Sequence, residues 1–311
     1  MNGTVAVTDS GWYEFLARRS LPEVNFWTPS DRRTFVAPSF SPFFFKLKAP
    51  HRAIAGFGYF AKWSSLPDWL AWECFGEGNG CESFAALEAR LAEIRTRIGY
   101  VPSGAVSSIG CIILVQPTFF PRDAWIPQPN DWPERTLSRL TYDLTVGEGK
   151  RIWEQCLERT AVALAPPLGL PQVAGPAKPR YGEPRPIAPR LGQGSFRVSV
   201  TDAYARACAV TSERSLPALE AVHIRSYAKE GPHDVRNGIL LRADLHRLFD
   251  KGYITVTPEK RLEVSARLRA DYSNGRSYYP LHGQALRLPL SDLDHPADEF
   301  LRWHNERIYL G

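Results

Sequence analysis

The chain has 311 residues, of which 44% are hydrophobic and 23% are charged. This composition is ordinary for a soluble globular protein and excludes disorder throughout the chain; at about 100 to 200 residues per domain, the length predicts two domains. A formal net charge of +5 is too small to establish a nucleic-acid partner by itself.

The sequence shows neither a membrane span nor a secretion signal. No stretch approaches about 18 consecutive apolar residues, and the first residues lack a basic segment followed by an apolar one. We therefore expect a soluble, cytoplasmic protein with no membrane partner. The five cysteines form no C-x-x-C pair, so neither structural zinc nor a disulfide framework is expected.

The first half of the chain mixes predicted strands and helices. Short apolar runs with Gly or Pro nearby predict strands at residues 43–48, 54–60 and 109–115. Apolar residues spaced three and four apart predict a helix over residues 82–98, and a second helix is predicted over 148–164. Together these elements predict a curved sheet or small β-barrel with helices packed on it.

A proline-rich segment separates this half from the rest of the chain. Six prolines fall between Pro171 and Pro189, and proline without a helical or alternating apolar pattern is typical of an extended connector. We therefore predict a first domain over residues 1–170, a linker over 171–190 and a second domain over 191–311.

The second half predicts the order strand, loop, strand, helix. A helix is predicted in VTDAYARACAV, a strand in LEAVHI, and a strand end leading into a helix in GILLRADLHRLFDKG. A strand pair is predicted in YITVTP and RLEVS. Residues 171–270 carry 17 Lys/Arg against 10 Asp/Glu, so the basic excess of the chain is concentrated here.

Four polar side chains in this region form a pattern with chemical meaning. His223 ends the predicted strand, Asn237 follows in the loop, and His246 and Asp250 are four residues apart on one face of the predicted helix. Hydrolysis of a phosphodiester needs a base to activate water, and histidine titrates near neutrality. It also needs a cation, for which a mixed nitrogen and oxygen site suits Mg²⁺ or Mn²⁺ and would accept Ni²⁺ or Zn²⁺.

At these residues the sequence resembles the HNH nuclease superfamily, in the branch of predicted restriction endonucleases. The motifs CAVT, LEAVHI, NGILL and DLHRLFDKG occur in that order between residues 191 and 264. The resemblance implies a ββα-metal fold with His223 as general base and His246 as a metal ligand. It further implies that Asn237 steadies the active-site loop or assists at the metal, and that Asp250 takes a second metal-binding position.

This sequence departs from the family pattern in two places. Many members carry a metal ligand immediately before the base, where this chain has Val222, so Glu220 and Asp244 are candidates to replace it. Many members also hold two zinc-binding cysteine pairs, whereas Cys208 stands alone, so hydrophobic packing is expected to replace the zinc.

Other polar residues near this pattern have less specific interpretations. His233 is expected to be a loop residue rather than a ligand. Basic side chains are candidates for phosphate contacts or for ordinary exposed charges: Arg225, Arg236, Arg242 and Arg247.

The first half resembles the domain often fused to this HNH branch, which is similar to the PUA superfamily of small barrels, the EVE, YTH and ASCH group. The resemblance spans roughly residues 23–160 and is carried by VNFWTPS and by FFFKLKAPHRAIAGFGYFAKWSSLPDWLAWECFGEGNG. Relatives bind modified bases flipped out of the helix, which implies a sensor of modified DNA. The candidate pocket residues are Phe26, Trp27, Thr28, Ser30, Trp63 and Asn79.

The fold class predicted is therefore α+β, with a PUA-like barrel and a ββα-metal nuclease. The function predicted first is that of a modification-dependent restriction endonuclease, which recognises a modified base, cytosine above all, in double-stranded DNA. A homodimer is a further expectation. Two alternatives stay open. One is an HNH-fold DNA-binding protein without activity, and the other is a nuclease acting on RNA or on structured DNA.

Overall fold

The protein is represented by a computed structural model that describes residues 1–102, 106–133, 138–164, 192–226 and 231–311, without the side chains of 161–164. The predicted proline-rich linker lies outside the described residues. The chain divides into two compact units, Met1–Arg190 and Leu191–Gly311. In the described ranges, no helix is both long and apolar enough to cross a membrane.

The first unit combines a mixed sheet with helices. Its strands are β1 (Asn2–Thr8), β2 (Glu23–Thr28), β3 (Pro42–Leu47), β4 (Ala53–Pro67), β5 (Ser108–Phe119), β6 (Ile126–Pro127) and β7 (Arg139–Asp143). Its helices are α1 (Ser10–Ala17), α2 (Asp68–Phe75), α3 (Phe84–Ile98) and α4 (Gly147–Leu164). The three predicted strands and both predicted helices of this half are among them.

The sheet is open and curved. Its strand order is β2-β5-β4-β3-β1-β7, with β6 on β4, and only the pairing of β1 with β3 is parallel. Register shifts interrupt the pairing of β4 with both neighbours, and such irregularities bend a strand. Within the described residues β2 and β7 end this order without pairing to each other, so the predicted small barrel is an open curved sheet.

Both faces of this sheet are buried. Along β3, Phe43 and Phe45 enter one hydrophobic cluster, while Phe44 enters another on the opposite face, as the period of two in a strand requires. The first cluster also takes side chains from α1, and the second takes Ile152 from α4. The three consecutive phenylalanines therefore place β3 between two layers of core.

The second unit is built around two strand pairs. Its elements are α5 (Gln193–Ala203), β8 (Leu219–His223), β9 (Gly238–Arg242), α6 (Ala243–Asp250), β10 (Ile254–Val256), β11 (Leu262–Val264), α7 (Arg267–Tyr272) and α8 (Asp298–Arg307). Strands β8 and β9 are antiparallel, as are β10 and β11. The predicted α+β class and the predicted order around the site are both observed.

Helix α5 begins and ends earlier than the sequence pattern predicts. VTDAYARACAV was expected to be helical, but the helix ends at Ala203, and Ala205 and Arg206 have positive φ angles of 49° and 57°. Phe196 and Val200 lie one turn apart on α5 and are both fully buried. The helix is therefore positioned by Phe196, upstream of the segment that predicted it, and by Val200, the first residue of that segment.

Candidate active site

A β-hairpin followed by a helix brings the predicted catalytic residues together. His223 at the end of β8 pairs with Gly238 at the start of β9, and α6 begins directly after β9. His246 and Asp250 lie in α6, one helical turn apart. The ββα arrangement expected from the sequence is present, and it places His223 near enough to His246 and Asp250 for their charges to affect its pKa.

The His223 ring is held between two aromatic partners. Phe196 of α5 stacks on it with ring centroids 3.7 Å apart and an interplanar angle of 11°. The Nε2 atom of His223 lies 3.0 Å from Nδ1 of His233, at hydrogen-bond distance. Sequence reasoning interpreted His233 only as a loop residue, so this pairing is a finding of the structure.

The surroundings of His223 keep its imidazole neutral. Burial, followed by the charges of His233 and His246, lowers the pKa of His223 to about 4. A group with that pKa is unprotonated at neutral pH and has a free electron pair to accept a proton. The ring therefore has the charge state that a general base requires.

Asn237 anchors the loop that joins β8 to β9. Its Nδ2 atom donates to the carbonyl oxygens of Arg225 and Pro232, both at 2.9 Å, and its Oδ1 atom accepts from the Arg225 backbone N–H at 2.9 Å. The residue is fully buried. This geometry agrees with the loop-steadying role expected of Asn237 and argues against the alternative role as a metal ligand, because the carbonyl oxygen is not presented to solvent.

His246 lies between two carboxylates. Its Nδ1 atom is 2.5 Å from Oε2 of Glu220, and its Nε2 atom is 3.2 Å from Oδ2 of Asp250. Burial lowers the pKa of His246, but the hydrogen bonds with Asp250 and Glu220 outweigh burial and raise the pKa above its usual value. Without a metal, this arrangement favours a protonated imidazole.

The structure separates the two candidates to replace the ligand expected at Val222. Val222 itself is fully buried in the core of the second unit. Asp244 is hydrogen-bonded to the Arg242 guanidinium at 2.6 and 3.0 Å and to the Tyr278 hydroxyl at 3.3 Å. Glu220, in contrast, contacts His246 directly, so it is the carboxylate associated with the site.

The donor atoms of His246 and Asp250 fit two neighbouring positions around a small divalent ion. Two ligands at right angles, each about 2.1 Å from a metal, lie about 3.0 Å apart, close to the 3.2 Å between these atoms. Glu220 would then hold the other ring nitrogen, as carboxylates do for metal-bound histidines. Over the ranges that the structure describes, no group of three or more His, Cys, Asp or Glu side chains converges as a metal site.

Cys208 is buried, whereas two of the basic candidates, Arg242 and Arg225, contact other side chains. Cys208 is buried in the hydrophobic cluster of the second unit, so apolar packing surrounds it. Arg242 is paired with Asp244, and the Arg225 guanidinium lies 5.7 Å from the centre of the Trp303 ring.

Three of the six candidate pocket residues in the first unit line one cavity. Phe26, Trp27 and Thr28 of β2 border a cavity of about 210 Å³, together with the buried ring of Trp12. Phe26 meets Trp12 edge to face, with ring centroids 5.4 Å apart. An aromatic cavity of this kind can enclose an apolar or aromatic group.

The other three candidate residues do not line this cavity. Asn79 is fully buried, and its side chain bonds Ala71, Gly76 and Asn25, which corrects its assignment as a pocket residue. Trp63 packs against the core cluster of the sheet, and the Ser30 carbonyl accepts a hydrogen bond from Thr28. The sequence alone did not show which of the six candidate residues line the cavity.

Comparisons with known proteins agree with the hairpin and helix just described. Residues 208–257 match a family model described as HNH endonuclease. This match confirms the resemblance found in the sequence for the segment containing His223, Asn237, His246 and Asp250, and it indicates a nuclease that binds nucleic acid. No curated protein matches the chain.

Solved structures of an ASCH protein overlap with about half of the chain. The crystal structure of ASCH from Zymomonas mobilis aligns with a TM-score of 0.33 and 10% identity, covering 49% of this chain and 94% of that protein. A tyrosine-to-phenylalanine variant of the same protein aligns with a TM-score of 0.32 and 9% identity, covering 49% and 96%. ASCH is one of the groups that the first half resembles in sequence.

Proposed function

We propose that the second unit is a metal-dependent HNH endonuclease acting on DNA, and that the first unit restricts cleavage to DNA carrying a modified base, cytosine above all. The observation that carries the nuclease assignment is a neutral, oriented His223 on the same ββα hairpin as the His246 and Asp250 pair. A protein of this kind would act as a modification-dependent restriction enzyme against foreign DNA.

His223 is the group that takes a proton from the attacking water. The tautomer of His223 that suits this role carries its proton on Nε2, which lies 3.0 Å from Nδ1 of His233, and keeps the Nδ1 electron pair to accept the proton from water. Phe196 prevents the ring from tilting, because it stacks almost parallel to it. Asn237 holds the loop that carries Arg225, which places a basic side chain near the scissile phosphate.

A divalent cation, Mg²⁺ or Mn²⁺ with Ni²⁺ and Zn²⁺ as further candidates, would offset negative charge on the phosphate and on the leaving oxygen. His246 Nε2 and Asp250 Oδ2 are the atoms that would hold it. Glu220 fixes the orientation of the His246 ring through Nδ1.

Nicking of supercoiled plasmid DNA with Mg²⁺ or Mn²⁺ tests the nuclease assignment. His223→Ala should lower the nicking rate by about 10²- to 10⁴-fold, the usual contribution of a general base. His295→Ala is the matched control, because that side chain contacts Asp292 and Pro289 instead of the site. Equal nicking by wild type and His223→Ala would contradict the role of His223 as general base, and no nicking by wild type would favour the alternative of a DNA-binding protein without activity.

Digestion of DNAs that differ only in their cytosine modification tests the substrate. We expect cleavage of modified DNA and little cleavage of unmodified DNA or RNA. Equal cleavage of all three would contradict the sensor role and favour a general nuclease acting on RNA or structured DNA. Since one HNH site cuts one strand at a time, double-strand breaks would require either a homodimer or two sequential cuts.

A further inference from the structure

A second cavity in the first unit is lined by cationic side chains. Its volume is about 530 Å³, and the residues that border it include Lys46, Lys48, Arg52, Gln128 and Trp132. In the part of the chain that the structure describes, no Asp or Glu lines it. A cavity lined by three cations favours an anionic ligand.

Lys46 is the unusual member of this lining. Its side chain is on β3 and the residue is only 4% exposed. Its Nζ atom has a long hydrogen bond of 3.4 Å to the Leu47 carbonyl and lies 4.7 Å from the centre of the Trp132 ring. No carboxylate pairs with it within the described ranges. Burial, followed by the charge of Arg52, lowers the pKa of Lys46.

Burial of a lysine ammonium costs folding free energy, because the charge loses hydration. An anion entering the cavity would offset part of this cost for Lys46.

Lys48 and Arg52 place two further charges at the rim of the same cavity. The Arg52 backbone N–H donates to the Lys48 carbonyl at 3.1 Å, and the Arg52 carbonyl accepts from Gln128 at 3.1 Å, so a short turn holds both residues. Both side chains are exposed, and no ion pair engages either of them across the described residues. The three cations thus surround one space from its wall and its rim.

This cationic cavity adjoins the aromatic cavity described above. Val7 and Lys48 line both of them. The aromatic cavity is lined by Trp12, Phe26 and Trp27, and the cationic cavity is lined by Lys46 and Arg52. A ligand that spans both would have a flat aromatic part joined to an anionic part, which is the chemistry of a nucleotide.

We propose that the cavity lined by Lys46, Lys48 and Arg52 binds a phosphate group of the nucleotide whose base enters the neighbouring aromatic cavity. This inference rests on the proposed role of the first unit as a base reader and assigns that unit a phosphate site of its own. The desolvated Lys46 ammonium makes the strongest contact, since a charge-assisted hydrogen bond gains strength away from water.

Calorimetric titration of the full chain tests this site, with 5-methyl-2′-deoxycytidine 5′-monophosphate, 5-methyl-2′-deoxycytidine and inorganic phosphate as probes. Wild type should bind the monophosphate at least about ten-fold more tightly than the nucleoside, and inorganic phosphate should compete. Lys46→Met should abolish that difference. Lys150→Met is the matched control, because Lys150 is exposed on α4 and pairs with Glu154. The proposal is overturned if wild type does not distinguish the two compounds, or if Lys46→Met still does.

Thermal unfolding of the same variants separates binding from folding. Lys46→Met should keep or raise the melting temperature, because it removes a buried charge. If the variant does not fold, Arg52→Gln replaces it, since Arg52 is exposed and its loss should weaken the monophosphate without disturbing the core. Retention of full phosphate discrimination by Arg52→Gln would then contradict the site.

Failure of this inference is distinguishable from failure of the proposed function. His223→Ala should lose nicking and keep phosphate discrimination, because His223 belongs to the second unit. Cleavage specific for modified DNA without phosphate discrimination would overturn only the site at Lys46. Phosphate discrimination without modification-dependent cleavage would overturn only the proposed function.

Discussion

At the scale of single residues, the charge of two histidines depends on their neighbours. His223 is stacked on Phe196 and faces His233, whereas His246 is bracketed by the carboxylates of Glu220 and Asp250. The same side chain is therefore kept neutral in one position and favoured as a cation in the other. The neutral ring of His223 is suited to accept a proton, and His246, which lies beside two carboxylates, is suited to hold a metal ion.

The pH dependence of nicking follows from these two environments. His223, with a pKa of about 4 against the ordinary 6.5, stays unprotonated above about pH 5 and should cause no loss of rate near pH 6.5. His246 has a raised pKa, so protons compete with the metal for its Nε2 atom as the pH falls. We expect an acidic limb in the rate profile that moves to lower pH when the metal concentration is raised. An acidic limb near pH 6.5 whose position does not change with the metal concentration would contradict the assignment of His246 as a metal ligand.

Substitutions of the two carboxylates around His246 should have different effects on metal dependence. Glu220→Gln keeps a hydrogen-bond acceptor near Nδ1 and should weaken the apparent metal affinity about 10- to 100-fold, with recovery at high metal concentration. Asp250→Asn removes a ligand and should resist such recovery. Asp244→Asn is the control, because Asp244 bonds Arg242 and Tyr278. Metal titration of the nicking rate measures all three, and a larger effect of Asp244→Asn would reverse the choice between the two acidic candidates.

At the scale of secondary-structure elements, the position of α5 against the hairpin determines where His223 lies. Gly238 at the start of β9 has no room for a side chain, because a Cβ atom there would lie 2.4 Å from Cγ2 of Val200 and 3.1 Å from Cζ of Phe196. The helix can therefore approach close enough for Phe196 to stack on His223. Here glycine is required for close packing between two elements.

Gly238→Ala should destabilise the second unit by about 1–3 kcal/mol, the usual cost of overpacking. Val200→Ala removes the atom that the new methyl group meets, so the double variant should be less destabilised than the sum of the two single variants. Chemical denaturation of the four proteins gives this coupling. Strict additivity would show that Val200 does not limit the space at Gly238.

At the scale of the whole molecule, each unit has a hydrophobic core of its own. The cluster containing Val222, Leu240 and Phe249 is drawn from the second unit. The clusters around Phe43 and Phe57 are drawn from the first unit. Because each hydrophobic core is formed by residues of one unit, we expect each unit to fold as a separate domain.

Calorimetry of the full chain should therefore show two unfolding transitions. Gly238→Ala should lower the temperature of one transition, and Phe57→Leu, at a site buried in the first unit, should lower the other. A single transition that both variants shift as a whole would show that the two cores unfold together.

The sequence alone determined the features that depend on short spacings. The helix predicted over residues 82–98 is α3, where Ser83 caps the first turn by accepting from the Ala86 N–H and Gly99 ends the helix with a positive φ. His246 and Asp250 meet because a helix places residues four apart on one face. Such relations are set within one element, so residue order is sufficient to predict them. The HNH motif spans a strand, a loop and a helix, and its ordered residues were recognised by their resemblance to a known family.

Only the tertiary structure decided which distant side chains meet. His233 contacts His223, Glu220 rather than Asp244 contacts His246, and Asn79 is buried in the structure instead of lining a pocket. In the sequence, Lys46 is one charged residue within an apolar strand. In the structure, it lines a cavity together with Arg52 and Trp132. These contacts depend on how loops close and how elements pack, and packing is a property of the assembled core that no local spacing encodes.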